Sequence, residues 1–238
     1  MDEDEIRRSA ALEEKHWWYA ARRALVRREL GDLPAGRAVD VGCGMGGNTA
    51  VLRDLGWHVV GVDYSPASAE AASQRGLMLV RGDARRLPLA DESVDLVLST
   101  DAWEHVAEDE AVAAEAARVL RPGGTLFVAV PAGMDLWSDH DLALGHHRRY
   151  ERDGLVALVE GAGFEVAEVF GWNVLLRPVA RARRRTPQRR SGHGVSEMTP
   201  VHPVVNGVLR RIVATEARLP VRRRRGISLA IRATRPQS

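Results

Sequence analysis

The stretch AVDVGCGMGGNT, Ala38 to Thr49, constrains this chain more than any other. A short apolar run ends in three glycines, Gly42, Gly44 and Gly47, spaced G-x-G-x-x-G, and an acid, Asp63, follows the first of them by 21 residues. Glycines in such a turn let the chain fold back tightly after a strand, bring backbone N–H groups close to a ligand and start a helix. The pattern therefore predicts a strand–turn–helix unit and a nucleotide-like ligand. Which ligand is the question the rest of the sequence has to answer.

The flanking residues extend the α/β pattern. WHVVGVD reads as the next strand, ending at Asp63, and SPASAEAASQRG as a helix with Ser65 as N-cap and Pro66 in its first turn. LMLVRGD, SVDLVLST and TLFVAVP are further strands. DEAVAAEAARVL reads as an amphipathic helix closed by RPGG, and ERDGLVALVEGAG as a helix leading into the strand FEVAEVFG. GISLAIRAT is a last strand, and residues 3–30 read as helical, with no Pro or Gly until Gly31 and an interruption by HWWYAARRALV. Alternation of this kind predicts a parallel sheet covered on both faces. Two stretches break it: Pro131 to Tyr150, rich in His and Trp, and Gly171 to Arg225, in which ARARRRTPQRRSGHG reads as a loop and HPVVNGVLRRIVATEARLP as an amphipathic helix.

No apolar run approaches the ~20 residues a membrane span needs, and the opening MDEDEIRRSAALEE is acidic, unlike a secretory signal. The single cysteine, Cys43, permits no disulfide within the chain. Both features suit a cytoplasmic protein.

Acids at strand ends narrow the ligand. Asp40 stands two residues before the first glycine, where a carboxylate beside a pyrophosphate would repel it. Asp63 can accept hydrogen bonds from both hydroxyls of a ribose, and Asp83, in RGDARRLPL, ends the third strand, where an adenine edge would lie. Three acids at successive strand ends predict an adenosine ligand with an ammonium group and no phosphate, which is S-adenosylmethionine.

VDVGCGMGGNT, VVGVDYSP, GDARRLPLADESVDLVLSTDAWEHV and RVLRPGGTLFVAVP together resemble the successive motifs of class I S-adenosylmethionine-dependent methyltransferases, over about residues 36–131. The resemblance implies a Rossmann-like, doubly wound α/β fold of seven strands, the last antiparallel, with two insertions forming a lid. Its segments would be an N-terminal helical lid (1–35), a core (36–170) with an acceptor loop (131–150), an Arg-rich insertion (171–225) and a closing strand and tail (226–238). It further implies that Asp40, Gly42, Cys43 and Gly44 line the methionine part of the cofactor, that Asp63 holds the ribose and that Tyr64 packs near the adenine. Asp83 and Ala84 would meet the adenine edge, and Ser99 and Thr100 would lie beneath the sulfonium. HWWYAARRALV looks like the lid helix of the ubiquinone-biosynthesis-type O-methyltransferases, in which an arginine reaches the cofactor's carboxylate. Arg22 is the match for it, with Arg23 the alternative.

Asp101, Glu104 and His105 stand at i, i+3 and i+4 and share one face of a helical turn. They resemble an E-x-x-E-H metal site of that same subgroup, with Asp101 in place of the first glutamate. Mg²⁺ or Zn²⁺ is one reading of the three. His105 as a metal-free base is a second, and a capped, packed sheet edge the third. In the acceptor loop, His140 and His146 are candidates to face the methyl, and Arg148, Arg149 and Tyr150 to bind an anionic acceptor. The plain alternative is that these polar side chains only brace the loop. Transfer to an oxygen of a small or lipid-like metabolite is the leading expectation, since a histidine suits the removal of a hydroxyl proton. Transfer to nitrogen or a carboxylate, RNA methylation, and a non-catalytic cofactor-binding partner are the alternatives.

Residues 1–169 carry a balance of −12, whereas residues 170–238 hold 16 arginines against two acids, a balance of +14. The basic segment predicts contact with the acidic body, with another copy, or with an anionic membrane surface, giving a membrane-peripheral protein in the last case. Nucleic acid is disfavoured: no aromatic run interleaves the arginines, and STDAWEH stands where amino-directed base methyltransferases carry [DN]-P-P-[YFW].

Overall fold

The computed structural model describes residues 12–68, 70, 75–185 and 201–237. The helix expected from residue 3 thus lies outside the described residues up to residue 11. So does the Arg-rich stretch over 186–200.

Seven strands form one sheet in the order β3-β2-β1-β4-β5-β7-β6. β1 (Arg37–Val41), β2 (His58–Asp63), β3 (Leu79–Arg81), β4 (Val94–Thr100) and β5 (Leu120–Pro131) run parallel. β7 (Ser228–Thr234) inserts antiparallel between β5 and β6 (Glu165–Trp172). This is the doubly wound, Rossmann-like seven-stranded sheet with an antiparallel last strand that the motifs imply. The strand order turns back between β1 and β4, and a crevice opens there at the carboxyl ends of the strands.

Side chains alternate across each strand, so the apolar runs fill two layers. Val39, Val41 and Val97 face α3 (Asp109–Val119) and α5 (Arg152–Gly161) in one buried cluster. Ala38, Leu96, Leu98 and Phe127 face α1 (Trp17–Leu30) and α2 (Gly47–Asp54) in the other. Ala21, Leu25, Val26 and Leu30 of α1 belong to this second core. The N-terminal helix therefore packs the sheet along its length and offers the cavity only its first turns.

Local chemistry sets the element ends. The N-terminal helix is broken at His16, whose ring nitrogen accepts the Trp18 N–H at 3.3 Å and caps α1. RPGG ends α3 and also forms an irregularity in β5, where pairing with β4 shifts between Val94 and Leu96. Arg177–Arg185 is a helix, α6, where a loop was expected from Ala180 onward. Arginine and alanine are good helix formers, and Arg177 anchors the helix by bonding Asp135 at 2.6 Å and the Gly226 carbonyl at 2.5 Å. Met134–Leu136 is a 3₁₀ turn in the acceptor loop, followed by the short α4 (Asp139–Ala143). α7 (Pro203–Glu216) buries Val213 and packs Leu209 and Ile212 against the second core.

Much of the charge asymmetry is resolved inside the molecule. Arg222 reaches Glu29 at 2.8 Å, Arg225 reaches Glu151 at 3.2 Å and Arg235 reaches Glu92 at 2.8 Å. No described helix is long and apolar enough to cross a membrane.

Candidate active site

The crevice at the switch point deepens into a cavity of about 380 Å³, within the usual range for a small-molecule site. The glycine turn forms its floor. Gly42 has φ +72°, and a Cβ there would lie 2.4 Å from that of Ala102; Gly44 has φ +53° and open space beyond it. A side chain is thus excluded at Gly42, while at Gly44 bare backbone faces the cavity. Asp63, at the tip of β2, ties the turn down. Its Oδ2 accepts the Gly44 N–H at 2.8 Å, and its Oδ1 accepts the Ser65 N–H at 2.9 Å and the Ser68 hydroxyl at 3.0 Å. Cys43 lines the cavity, its thiol pushed well up by burial and by the charges of Asp40 and Asp63.

Beside the turn, Asn48 donates to the Thr100 hydroxyl at 2.8 Å, and both line the wall. Arg22 enters from α1 and pairs with Asp101 at 2.8 Å. Burial works against its charge, but Asp101 and Tyr19 outweigh it and hold the guanidinium above its ordinary pKa. Asp101 itself has φ +50°, an uncommon conformation that Asp tolerates better than most residues. The residues just before α1 also reach in: Glu13 Oε1 accepts the Gly47 N–H at 3.1 Å, and its other oxygen pairs with Arg75.

The opposite wall comes from the short 3₁₀ turn Trp103–His105 and the acceptor loop. Asp141 is fully buried and gathers the loop: Oδ1 accepts Arg149 Nε at 2.7 Å and meets His146 Nδ1 at 3.0 Å, while Oδ2 accepts the Ser138 N–H at 2.9 Å. Burial raises its pKa, but the His146 and Arg149 bonds outweigh it and keep it well below the carboxylate range. The rings of His146 and His105 meet edge to face at 4.7 Å. Burial, with His146 adding, lowers the His105 pKa to about 4, so it is neutral at pH 7. Glu104 is fully buried, and neither carboxylate oxygen has a hydrogen-bond partner among the described residues, His146 Nε2 standing 3.9 Å from Oε1. Burial, then Asp101, push its carboxyl well up.

The expected residues divide. Arg22, Gly42, Cys43, Gly44, Asp63, Thr100, Asp101, Glu104, His105, His140, His146 and Arg149 all line the cavity. Asp40 does not. β1 runs one residue beyond it, so its side chain turns into the layer under α2, where it accepts the Thr49 hydroxyl at 2.7 Å. Burial lifts its pKa to about 6. Ser99 points inward for the same reason and donates to the Val41 carbonyl at 2.9 Å. Tyr64 lies out on the surface beneath Arg81, and Asp83 pairs with Arg85 at 2.7 Å; with Ala84, they stand outside the cavity wall. Arg148 and Tyr150 both bond Asp109, at 2.6 and 2.8 Å, and brace α3. The expected metal set Asp101, Glu104 and His105 is not brought together, because Arg22 holds Asp101. Among the described residues, Glu104, His105 and His146 are the group with donor atoms within 4.8 Å of one another.

Sequence reasoning missed Glu13, Asn48 and the gathering role of Asp141. A buried acid meeting partners five and eight residues later has no periodic signature. Glu13 reaches the glycine turn only through the tertiary fold.

A glycine floor, an acid at the tip of β2 and a guanidinium from the N-terminal helix define a Rossmann-like site for an adenosyl ligand with an amino-acid part. Residues 39–128 match a family described as a methyltransferase domain. A probable S-adenosylmethionine-dependent methyltransferase of Mycolicibacterium smegmatis is 33% identical over 165 residues, covering 67% of this chain and 64% of that relative. The chain therefore spans a little under two thirds of that relative's length. The fold is also that of a Thermotoga maritima methyltransferase described as a possible histamine N-methyltransferase (TM-score 0.64, 24% identity, 98% of this chain and 95% of that one). A Haemonchus contortus phosphoethanolamine N-methyltransferase, solved with S-adenosylmethionine, shares it as well (TM-score 0.63, 17% identity, 91% of this chain and 52% of that one). Residues 39–128 thus match a methyltransferase domain, and the chain is similar to S-adenosylmethionine-dependent methyltransferases.

Proposed function

We propose that the protein transfers a methyl group from S-adenosylmethionine to an oxygen of a small or lipid-like acceptor. The oxygen reading is carried by one observation: a buried carboxylate, Asp141, holds the His146 ring at 3.0 Å on the cavity wall. The bound cofactor supplies a methyl group on a cationic sulfur. The chain's own task is mainly alignment, which is worth ~7 kcal/mol or more. Asp63 holds the ribose, Gly42 to Gly44 and Thr100 flank the methionine part, and Arg22, shared with Asp101, takes its carboxylate. Tyr64, Asp83 and Ala84 border the adenine from the open side. A hydroxyl acceptor must also lose its proton. His146 takes it on Nε2, while Asp141 fixes the ring's orientation and steadies the charge that forms. Neutral His105, beside it, positions the hydroxyl, and His140 closes the same wall.

Labelled S-adenosylmethionine incubated with the protein and a lipid and metabolite extract tests this reading. The label is expected in an alkali-stable ether that does not partition into acid. Label released by alkali as methanol marks a methyl ester, and label extracted by acid marks an amine; either result overturns oxygen-ether transfer.

A second reading rests on Glu104, whose buried carboxylate oxygens lack hydrogen-bond partners among the described residues. One carboxylate and two imidazoles are a donor set for zinc more than for magnesium. A divalent ion held by Glu104, His105 and His146 would lower the pKa of an acceptor hydroxyl, and Asp141 would then orient a ligand. The expected result of loading with Zn²⁺ and dialysis is one retained ion per chain, lost in Glu104→Gln. A chain that retains none rejects the metal and leaves His146 as the base.

A further inference from the structure

The cavity mouth continues outward into a surface that is apolar and basic at once. α6 and α7 both line the cavity, through Val179, Ala180 and Arg183 and through Leu209. Outward, Val179 is 59% exposed, Val204 68% and Val208 49%. On α7, Val204, Val208 and Arg211 follow at steps of four and three, the spacing of a single helix stripe, and Arg218 stands two residues beyond the helix end. The other face of α7, with Leu209, Ile212 and Val213, is already packed against the core. A surface helix needs only one apolar face, so the valine stripe is surplus to folding. In the acceptor loop, Met134 and Leu142 are 51% and 62% exposed. Exposed apolar side chains on helices that also line a cavity mark a contact surface.

Charge selects what touches it. Arg222, Arg225 and Arg235 are paired with acids of the body, whereas Arg183, Arg211 and Arg218 have no carboxylate partner among the described residues. Valines flanked by arginines without a carboxylate partner among the described residues match the boundary of an anionic bilayer, where apolar side chains enter the acyl region and guanidinium groups meet phosphates. The same helix is bonded to the cofactor side of the cavity. Asn206 Oδ1 accepts the Trp17 N–H at 2.7 Å, and Arg210 donates to the Lys15 carbonyl at 2.9 Å.

We propose that the outer face of α6 and α7 docks on an anionic lipid surface and turns the cavity mouth toward the membrane, so that the acceptor is a lipid-like molecule drawn from the bilayer. The acceptor clause rests on the methyl-transfer reading above; the docking itself does not.

The test is sedimentation of the full chain with vesicles of phosphatidylglycerol or of phosphatidylcholine, at about 0.1 M salt. Partition onto phosphatidylglycerol is expected to exceed that onto phosphatidylcholine by about tenfold or more. The double variant Val204→Asp/Val208→Asp is expected to lose about tenfold of it. Adenosylhomocysteine affinity, measured in parallel, stays at the parent value and reports an intact fold and cofactor site. The proposal is overturned if the parent shows no preference for anionic vesicles, or if the aspartate variant partitions as the parent does. Binding that fails only in Arg211→Glu/Arg218→Glu would describe a face for a soluble polyanion and would also overturn it. None of these failures touches the methyl-transfer reading, which the labelled-product experiment judges alone.

Discussion

Replacing Asp63 with alanine is expected to weaken adenosylhomocysteine binding by about 100-fold or more, the largest effect on ligand affinity in the molecule. An ionised carboxylate has about four acceptor sites, and here three are taken by Gly44, Ser65 and Ser68. The remaining one is available to a ribose hydroxyl, and such a charged hydrogen bond contributes about 1.5–3 kcal/mol. That alone is roughly 10- to 100-fold. Alanine also frees the Gly44 N–H, so the turn at φ +53° loses its tether, and the cavity floor loosens. Asp63→Asn, which keeps the volume and one carbonyl oxygen, should lose about tenfold, the lower end of the same range. Calorimetry gives the affinities, and a thermal melt of each variant reports whether the fold persists. Parent-like affinity in both would place the adenosyl ligand somewhere other than the glycine turn.

The legibility of this site follows the physics of its parts. The glycine turn and Asp63 could be read because backbone conformation and strand-end position are local properties, written in spacing. The strand and helix alternation was readable for the same reason, and each strand expected from its apolar run is present in the sheet. Asp40 and Ser99 lie off the cavity wall by a single residue. Being near a strand tip does not decide which face a side chain takes, and a period of two sends neighbours to opposite layers. The bonds of Arg148 and Tyr150 to Asp109 were not legible because bracing and binding use the same donors, and Asp109 lies some 40 residues earlier in the chain. The helix Arg177–Arg185 was hidden because its arginines suggested a solvated loop, whereas Asp135 and the carbonyls of Leu136 and Gly226 are there to receive them.

Glu104 shows how far the local signal goes. Its place after β4 was evident, and its nearness to His105 follows from the chain. What could not be read is that Asp101 would be drawn off by Arg22 from a helix some 80 residues earlier, and that His146 would arrive from the acceptor loop. The site's chemistry is therefore set by two long-range exchanges of partner: an arginine removes one acid, and a loop supplies one imidazole.

That supplied imidazole carries the second large prediction. His146→Ala is expected to lower methyl transfer to a hydroxyl acceptor by about 10²- to 10⁴-fold, the usual worth of a positioned general base. The measurement is incorporation of labelled methyl from S-adenosylmethionine into the alkali-stable fraction. Asp141→Asn separates the base from its support. The ring stays, but the carboxylate that orients Nδ1 and steadies the protonated ring is gone, so the rate should fall while the imidazole itself is kept. Because Asp141 also holds Arg149 and the Ser138 turn, part of its effect will be loosening of the loop. That part should appear in the acceptor's KM, and the loss of charge support in kcat. A metal at Glu104, His105 and His146 predicts a different pattern: a chelator would abolish the parent's activity, and Glu104→Gln would be as damaging as His146→Ala. If neither chelator nor His146→Ala changes the rate, the acceptor reaches the methyl already deprotonated. A carboxylate or free amine would then be the nucleophile, and the Asp141–His146 pair would only brace the loop.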